Sequence, residues 1–152
     1  MFRGINRVSL DAKGRMALPA RYRETVRERS AGKLVVTIDT RERCLLLYAL
    51  PDWETVQARL ETLSNIRASA RLLQRLLIGH ATDVELDSNG RVLLPQMLRD
   101  YADLARKVVV LGQGNKIEIW GEEHWQDRMD TWLIEGLDAE FEDLGDVEDL
   151  SV

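Results

Sequence analysis

The chain has 152 residues, a mass of 17.4 kDa and a net charge of −5, which fits one ordinary domain or two small ones. A hydrophobic content of 45% and a charged content of 31% exclude collagen-like and wholly disordered proteins. No apolar run approaches the roughly 18 residues that a membrane-spanning helix needs. Because Arg7 and Asp11 follow Met1 closely, the start does not resemble a secretion signal. We therefore expect a cytoplasmic protein without membrane contact.

The residue types that carry most catalytic and metal chemistry are sparse. Cys44 is the single cysteine, which excludes an intrachain disulfide and a cysteine-built metal site; in its apolar segment it is expected to be a small buried hydrophobe. His80 and His124 are far apart in sequence, which favours packing or surface roles over metal binding. The sequence thus predicts a protein that is not an enzyme, with no catalytic residue, cofactor, metal or small-molecule substrate.

Charge is distributed very unevenly along the chain. Residues 1–29 carry eight basic and three acidic side chains, a net charge of +5, whereas residues 122–152 carry twelve acidic side chains and one arginine, a net charge of −11. A locally positive segment can attract polyanions even in an acidic protein, while an acidic terminus repels them. The amino-terminal part is therefore the expected site for a polyanionic partner.

A nine-residue motif occurs twice. Residues 11–19 and residues 87–95, 76 positions apart, share Asp, Gly, Arg, Leu and Pro at corresponding places. Aspartate and glycine at the ends of a four-residue turn, followed by a short apolar strand and a proline, predict a turn, a strand and then a helix start. Two copies of one small structural unit follow from this repeat. The residues expected to build the turns are Asp11, Gly14, Asp87 and Gly90.

In chain order, the first copy predicts a strand at Val8–Leu10, a returning strand at Arg15–Leu18 that closes a hairpin, and a helix from Pro19 to about Arg29. A second hairpin is expected from Leu34 to Tyr48. The second copy predicts a helix near Pro95–Leu104 and strands at 108–111 and 116–120.

Helices are expected between and after the two copies. Pro51 supplies a helix start before a first apolar stripe, and a break at Ser64-Asn65 precedes a second stripe that includes Ile66 and Leu73. A closing helix carries Trp125 and Trp132. After Gly136, seven acidic residues between 138 and 149 predict a frayed or disordered tail.

The opening Met1-Phe2-Arg3-Gly4, the paired motifs and the helical spacer resemble the MraZ family. The resemblance implies an α+β fold, a duplicated swapped-hairpin AbrB-like β-barrel with helices between and after the two copies. It divides the chain into a first SpoVT-AbrB-type domain at 1–50, a helical spacer at 51–78, a second such domain at 79–121, and a C-terminal helix and acidic tail at 122–152.

The same resemblance implies a function. The family members are sequence-specific regulators that bind double-stranded DNA, with repression of their own promoter and of the division and cell wall gene cluster. It also implies a promoter with short tandem repeats, a ring-shaped homo-oligomer and association with the nucleoid. An AbrB-fold antitoxin or scaffold, whose acidic C-terminal segment binds a protein partner, is the alternative.

The candidate DNA contacts are basic residues of the first copy. Arg15 follows the tight turn, and its guanidinium can bind a guanine edge or a phosphate with two hydrogen bonds; the alternative is a local ion pair with Asp11. Lys13 at the turn tip would contact phosphate. Arg3 and Arg7 either widen this patch or form a solvated strand face.

The second copy has a different electrostatic character. Residues 77–105 have a net charge of −3, and Asn89 stands where the first copy has Lys13. Because phosphate neutralisation needs clustered cations, the first copy is expected to face DNA, with Arg91 as a secondary contact or a structural residue.

The remaining arginines of the first helix are expected to balance acids or to contact other subunits, and these are Arg21, Arg23, Arg27 and Arg29. Arg67, Arg71 and Arg75 are expected to form a solvated face, or alternatively a seam between subunits.

Overall fold

The computed structural model describes residues 1–138, which form eight strands and five helices. The strands are β1 Phe2–Ser9, β2 Arg15–Ala17, β3 Lys33–Ile38, β4 Leu45–Ala49, β5 Thr82–Glu85, β6 Arg91–Leu93, β7 Lys107–Gly114 and β8 Ile117–Gly121. The helices are α1 Ala20–Ser30, α2 Leu50–Glu61, α3 Ala68–Leu77, α4 Gln96–Tyr101 and α5 Glu122–Asp138. Met1–Glu122 form one compact unit, and a second begins at Glu123. No described helix is both long and apolar enough to cross a bilayer.

The strands form two antiparallel sheets. The larger has six strands in the order β1-β7-β8-β4-β3-β5, and the smaller consists of β2 and β6. The α+β class expected from the sequence is confirmed. The closed barrel is wrong for the described residues, because β1 and β5 are the two unjoined edges of the large sheet.

The first strand of each repeat pairs with a strand of the other repeat. β1 pairs with β7 over eight residues, and β5 pairs with β3, so each repeat donates its first strand to the other. The expected hairpin between residues 8–10 and 15–18 is wrong, because the two segments share only one isolated bridge, between Leu10 and Met16. The longer ladders satisfy more backbone groups than a three-residue strand allows.

The remaining local elements agree with the sequence in most places. Helix α1 begins directly after Pro19, which occupies the capping position rather than the first turn, and the β3–β4 hairpin is present. Helix α4 ends at Tyr101, three residues earlier than expected. Ile66 does not continue an apolar stripe, because it lies between α2 and α3 with 94% of its surface exposed. The acidic tail lies outside the described residues.

Alternating side chains give the large sheet two apolar faces. One face packs against the β2–β6 ribbon, α1 and α4, and this core includes Met16, Val26, Val92 and Leu98. The opposite face packs against α2 and α3 through residues such as Trp53. The small ribbon therefore lies on one side of the sheet, and its outer surface faces away from the core.

Candidate nucleic-acid interface

The β2–β6 ribbon, residues 15–17 and 91–93, has an approximate twofold axis at its centre. Met16 pairs with Val92, its equivalent in the other repeat, and Arg15 pairs with Leu93. Beyond the ribbon, the Leu18 amide donates to the Gly90 carbonyl at 3.1 Å. The equivalent Leu94 amide donates to the Gly14 carbonyl at 2.9 Å. The two motif copies thus form one surface.

Each copy begins its turn with a capping aspartate. Oδ1 of Asp11 accepts hydrogen bonds from the backbone amides of Lys13 at 2.9 Å and Arg15 at 2.8 Å. In the second copy, Oδ1 of Asp87 accepts from the amides of Asn89 at 2.8 Å and Arg91 at 2.9 Å. These contacts are those of an aspartate-capped turn, in which the side chain mimics a backbone acceptor.

Gly14 and Gly90 complete these turns. Each glycine amide donates to its aspartate carbonyl at 3.0 Å. Their φ angles are +87° and +74°, in the region that side chains with a Cβ rarely adopt.

The capping contacts also fix the charge of the two carboxylates. Amide donation from Arg15 holds the pKa of Asp11 below its ordinary value, and amide donation from Arg91 does the same for the pKa of Asp87. A carboxylate that accepts backbone hydrogen bonds stays ionised to lower pH. Both aspartates are therefore anionic at neutral pH and can hold a guanidinium.

The arginines of the two motifs meet at Asp11. Nε of Arg15 donates to Oδ2 of Asp11 at 2.8 Å, and Nη1 of Arg91 lies 3.7 Å from the same oxygen. Nε of Arg91 lies 3.3 Å from Oδ2 of Asp87. Both side chains are about one-third exposed. The local ion pair considered for Arg15 is thus present, but it uses only Nε, and no hydrogen bond within residues 1–138 engages the Nη atoms of Arg15.

Two further arginines border the ribbon: Arg99, which sequence reasoning did not single out, and Arg23, which it expected to balance acids or to contact other subunits. Arg99 packs over the turn at Gly14, where a Cβ would lie 2.5 Å from its Cζ, and Arg23 packs over the turn at Gly90. Nε of Arg99 also donates to the Leu94 carbonyl at 2.9 Å. Arg23 and Arg99 are 76 positions apart, so the repeat offset is the signal that would have identified them together.

The other candidate residues lie in different places. Lys13 is exposed at the tip of the first turn, beside Arg15. Arg3 and Arg7 are also exposed, but they alternate along β1 with Phe2 and Val8, which face the ribbon-side core. They therefore point away from that core, and the structure does not join them to the ribbon. Both copies contribute a strand to this surface, and the expected preference of DNA for the first copy stays a prediction.

One cluster of ligand-type side chains occurs elsewhere in the described part of the chain. Donor atoms of Asp39, Cys44 and Glu118 lie within 4.8 Å of one another. Burial raises the pKa of the Cys44 thiol, which keeps it protonated, and it contacts Oδ2 of Asp39 at 3.6 Å. Glu118 accepts a hydrogen bond from Nε1 of Trp120 at 2.9 Å. Side chains of this cluster thus already make hydrogen bonds within the protein. Cys44 is the small buried residue expected from the sequence.

The fold and the site define a two-repeat α+β protein that presents an arginine-lined β-ribbon. Comparison with known proteins identifies the family. A sequence model of a protein family, described as "MraZ protein, putative antitoxin-like", matches residues 1–76 and 77–146. The chain therefore belongs to the MraZ family. The two matched segments agree with the internal repeat.

Relatives of similar length support this assignment. A Coxiella burnetii protein is 53% identical over 137 residues, which cover 90% of each chain. A Legionella pneumophila protein is 54% identical over 135 residues, 89% of each chain, and a Halorhodospira halophila protein is 47% identical over 152 residues, the full length of both. Each is named "Transcriptional regulator MraZ", a name that describes a regulator rather than an enzyme.

Proposed function

We propose that this protein is a DNA-binding transcriptional regulator and that the β2–β6 ribbon is its DNA-contacting surface. The observation that carries the proposal is the convergence of Arg15 and Arg91, one from each repeat, on Asp11 at an exposed two-stranded ribbon. The major groove of B-DNA is wide enough to admit such a ribbon. The names of the relatives, which describe transcriptional regulators, agree with this function.

Arg15 is the central contact in this proposal. Its Nε is held by Asp11, so its Nη edge is oriented before DNA arrives, and that edge can bind O6 and N7 of a guanine. Pre-orientation reduces the side-chain entropy that binding must remove. Lys13 contacts a phosphate without reading sequence. Arg91 has a secondary role, since it is already shared between two carboxylates.

Arg3 and Arg7 remain candidates for a phosphate contact outside the ribbon. They lie on the face of β1 that points away from the ribbon. DNA bound to the ribbon would therefore have to extend around the edge of the large sheet to contact them. We expect their replacement to weaken binding less than the replacement of Arg15.

The finer features implied by the family complete the proposal. One ribbon supplies few contacts, so promoter affinity at physiological salt requires several ribbons on one DNA. A ring-shaped homo-oligomer on short tandem repeats meets this requirement. We propose repression of the protein's own promoter and of the division and cell wall cluster, in the cytoplasm at the nucleoid. The strand exchange supports two swapped-hairpin AbrB-type units, with boundaries at 1–50, 51–78, 79–121 and 122–152.

The test is a binding titration on promoter DNA across a salt series. Arg15→Ala is expected to abolish specific binding while the fold and oligomer persist, and Arg91→Ala is expected to weaken it less. Arg59→Ala is the matched control, because Arg59 is an exposed arginine on α2, on the other side of the sheet. Full promoter affinity in Arg15→Ala would contradict the proposal.

The antitoxin or scaffold function is the alternative. The acidic segment on which it depends lies mostly outside the described residues, and the ribbon geometry does not favour it. A stoichiometric protein partner that co-purifies with the chain, together with no salt-sensitive DNA binding, would favour this alternative.

A further inference from the structure

The two halves of the ribbon surface are related by the approximate axis but differ in chemistry. Positions 13, 17 and 21 of the first repeat correspond to positions 89, 93 and 97 of the second, and all six residues are exposed. The first repeat presents Lys13, Ala17 and Arg21 at these positions. The second presents Asn89, Leu93 and Met97. One half is therefore cationic and the other is neutral and largely apolar.

Leu93 is an exposed apolar residue beside the proposed DNA contact. It pairs directly with Arg15 across the ribbon, while its neighbours Val92 and Leu94 are buried in the core. Alternation along β6 therefore turns the Leu93 side chain outward, where it is 55% exposed. More than half of the Leu93 surface is therefore left to water in the described chain.

We propose that Leu93 is a specificity residue that reads the C5 methyl group of a thymine in the major groove. The inference rests on the proposed function, since it requires the ribbon to contact base edges. The thymine methyl is the apolar feature that the major groove presents, and apolar side chains recognise it by contact. Ala17, the equivalent residue of the first repeat, carries a single methyl group and offers less apolar surface for such a contact.

The register places this thymine close to the base that Arg15 reads. Directly opposed residues on antiparallel strands have Cβ atoms about 4.5–5.5 Å apart, and successive bases rise by about 3.4 Å. Leu93 and Arg15 are therefore suited to neighbouring base pairs. Because only one half of the ribbon carries the leucine, each chain reads its site in one direction.

The test uses the full chain and a DNA duplex that wild-type protein enriches from a random-sequence library. Each thymine of that duplex is replaced in turn by deoxyuridine, which removes only the methyl group. Wild-type protein is expected to lose about fourfold in affinity at one thymine, the value of one buried methyl group. Leu93→Ala is expected to bind the thymine and deoxyuridine duplexes equally at that position.

Leu72→Ala is the matched control, because Leu72 on α3 is 54% exposed and lies away from the ribbon; it should keep the wild-type sensitivity. The proposal is overturned if no deoxyuridine weakens wild-type binding, or if Leu93→Ala keeps the sensitivity. It is also overturned if Leu93→Ala changes the oligomeric mass and not the response to deoxyuridine, since Leu93 would then contact a second copy. Failure to enrich any sequence contradicts the proposed function itself, and is thereby distinguished from failure of the Leu93 contact alone.

Discussion

Replacement of Gly14 by alanine tests whether the first turn and Arg99 form one structural unit. Gly14 has a φ of +87°, and a Cβ there would lie 2.5 Å from Cζ of Arg99. A residue with a Cβ in the left-handed region costs about 1–2 kcal/mol. Arg99 must also move and give up the hydrogen bond from its Nε to the Leu94 carbonyl, which costs about 1 kcal/mol. The free energy of unfolding should therefore fall by about 2–3 kcal/mol.

Gly114→Ala provides the comparison, because Gly114 has a φ of +78° but nothing within 4 Å of its added Cβ. It isolates the backbone strain and should lower the free energy of unfolding by only about 1–2 kcal/mol. Urea denaturation followed by circular dichroism measures both values. Equal losses in the two variants would refute the contribution of Arg99, and a neutral Gly14→Ala would refute the strain argument as well.

Three further predictions concern stability. Thr37→Val should lower the free energy of unfolding by about 1–3 kcal/mol in urea titrations, because the buried Thr37 hydroxyl donates to the Leu77 carbonyl at 2.7 Å and the variant leaves that carbonyl unpaired. Thr55→Val, at an exposed site on α2, should change it by less than about 0.5 kcal/mol. Burial raises the pKa of Glu118, so the contribution of this group to stability falls as pH rises above about 4.3. Glu118→Gln should be more stable than the wild type at pH 7 and should remove this contribution from the pH dependence of thermal melts. An unchanged melting profile would contradict this. Because the pKa of Asp11 is lowered, the stabilisation that its carboxylate supplies is present above about pH 3.9 and is lost at lower pH. Asp11→Asn should weaken the dependence of the melting temperature on pH between about pH 2 and 5. An unchanged dependence in this range would contradict the capping role.

Sequence reasoning succeeded where short-range chemistry decides the structure. Aspartate and glycine fix the turn at residues 11–14, and Pro19 fixes the start of α1, because each acts on the backbone within a few residues of itself. The β3–β4 hairpin follows from two adjacent apolar strands. The repeat offset of 76 residues also indicated that both copies have the same local structure.

The exchange of strands could not be predicted in the same way. Val8 and Arg15 belong to neighbouring strands in sequence, and local patterns favour a hairpin between them. The choice between that hairpin and the long β1–β7 ladder depends on contacts across about a hundred residues, which periodicity does not encode. Ile66 was misplaced because the second stripe was started directly after Ser64-Asn65, whereas α3 begins only at Ala68.

The candidate site was predictable by residue type but not by arrangement. Arg15 was identified from the turn that precedes it, and its ion pair with Asp11 was anticipated as an alternative. Its proximity to Arg91 was not, because it depends on the pairing of β2 with β6. The separation of Arg3 and Arg7 from the ribbon likewise follows from which face of β1 meets the core.

Site-specific cross-linking tests the central claim, that the outer surface of the β2–β6 ribbon contacts DNA. Cys44 is buried, so a cysteine placed at an exposed position can be labelled selectively with a photo-cross-linker. Ala17→Cys lies on the ribbon next to Arg91, and Ala58→Cys lies on α2 at the other side of the sheet. The account predicts covalent capture of promoter DNA from position 17 and none from position 58; capture from position 58 and none from position 17 would contradict it.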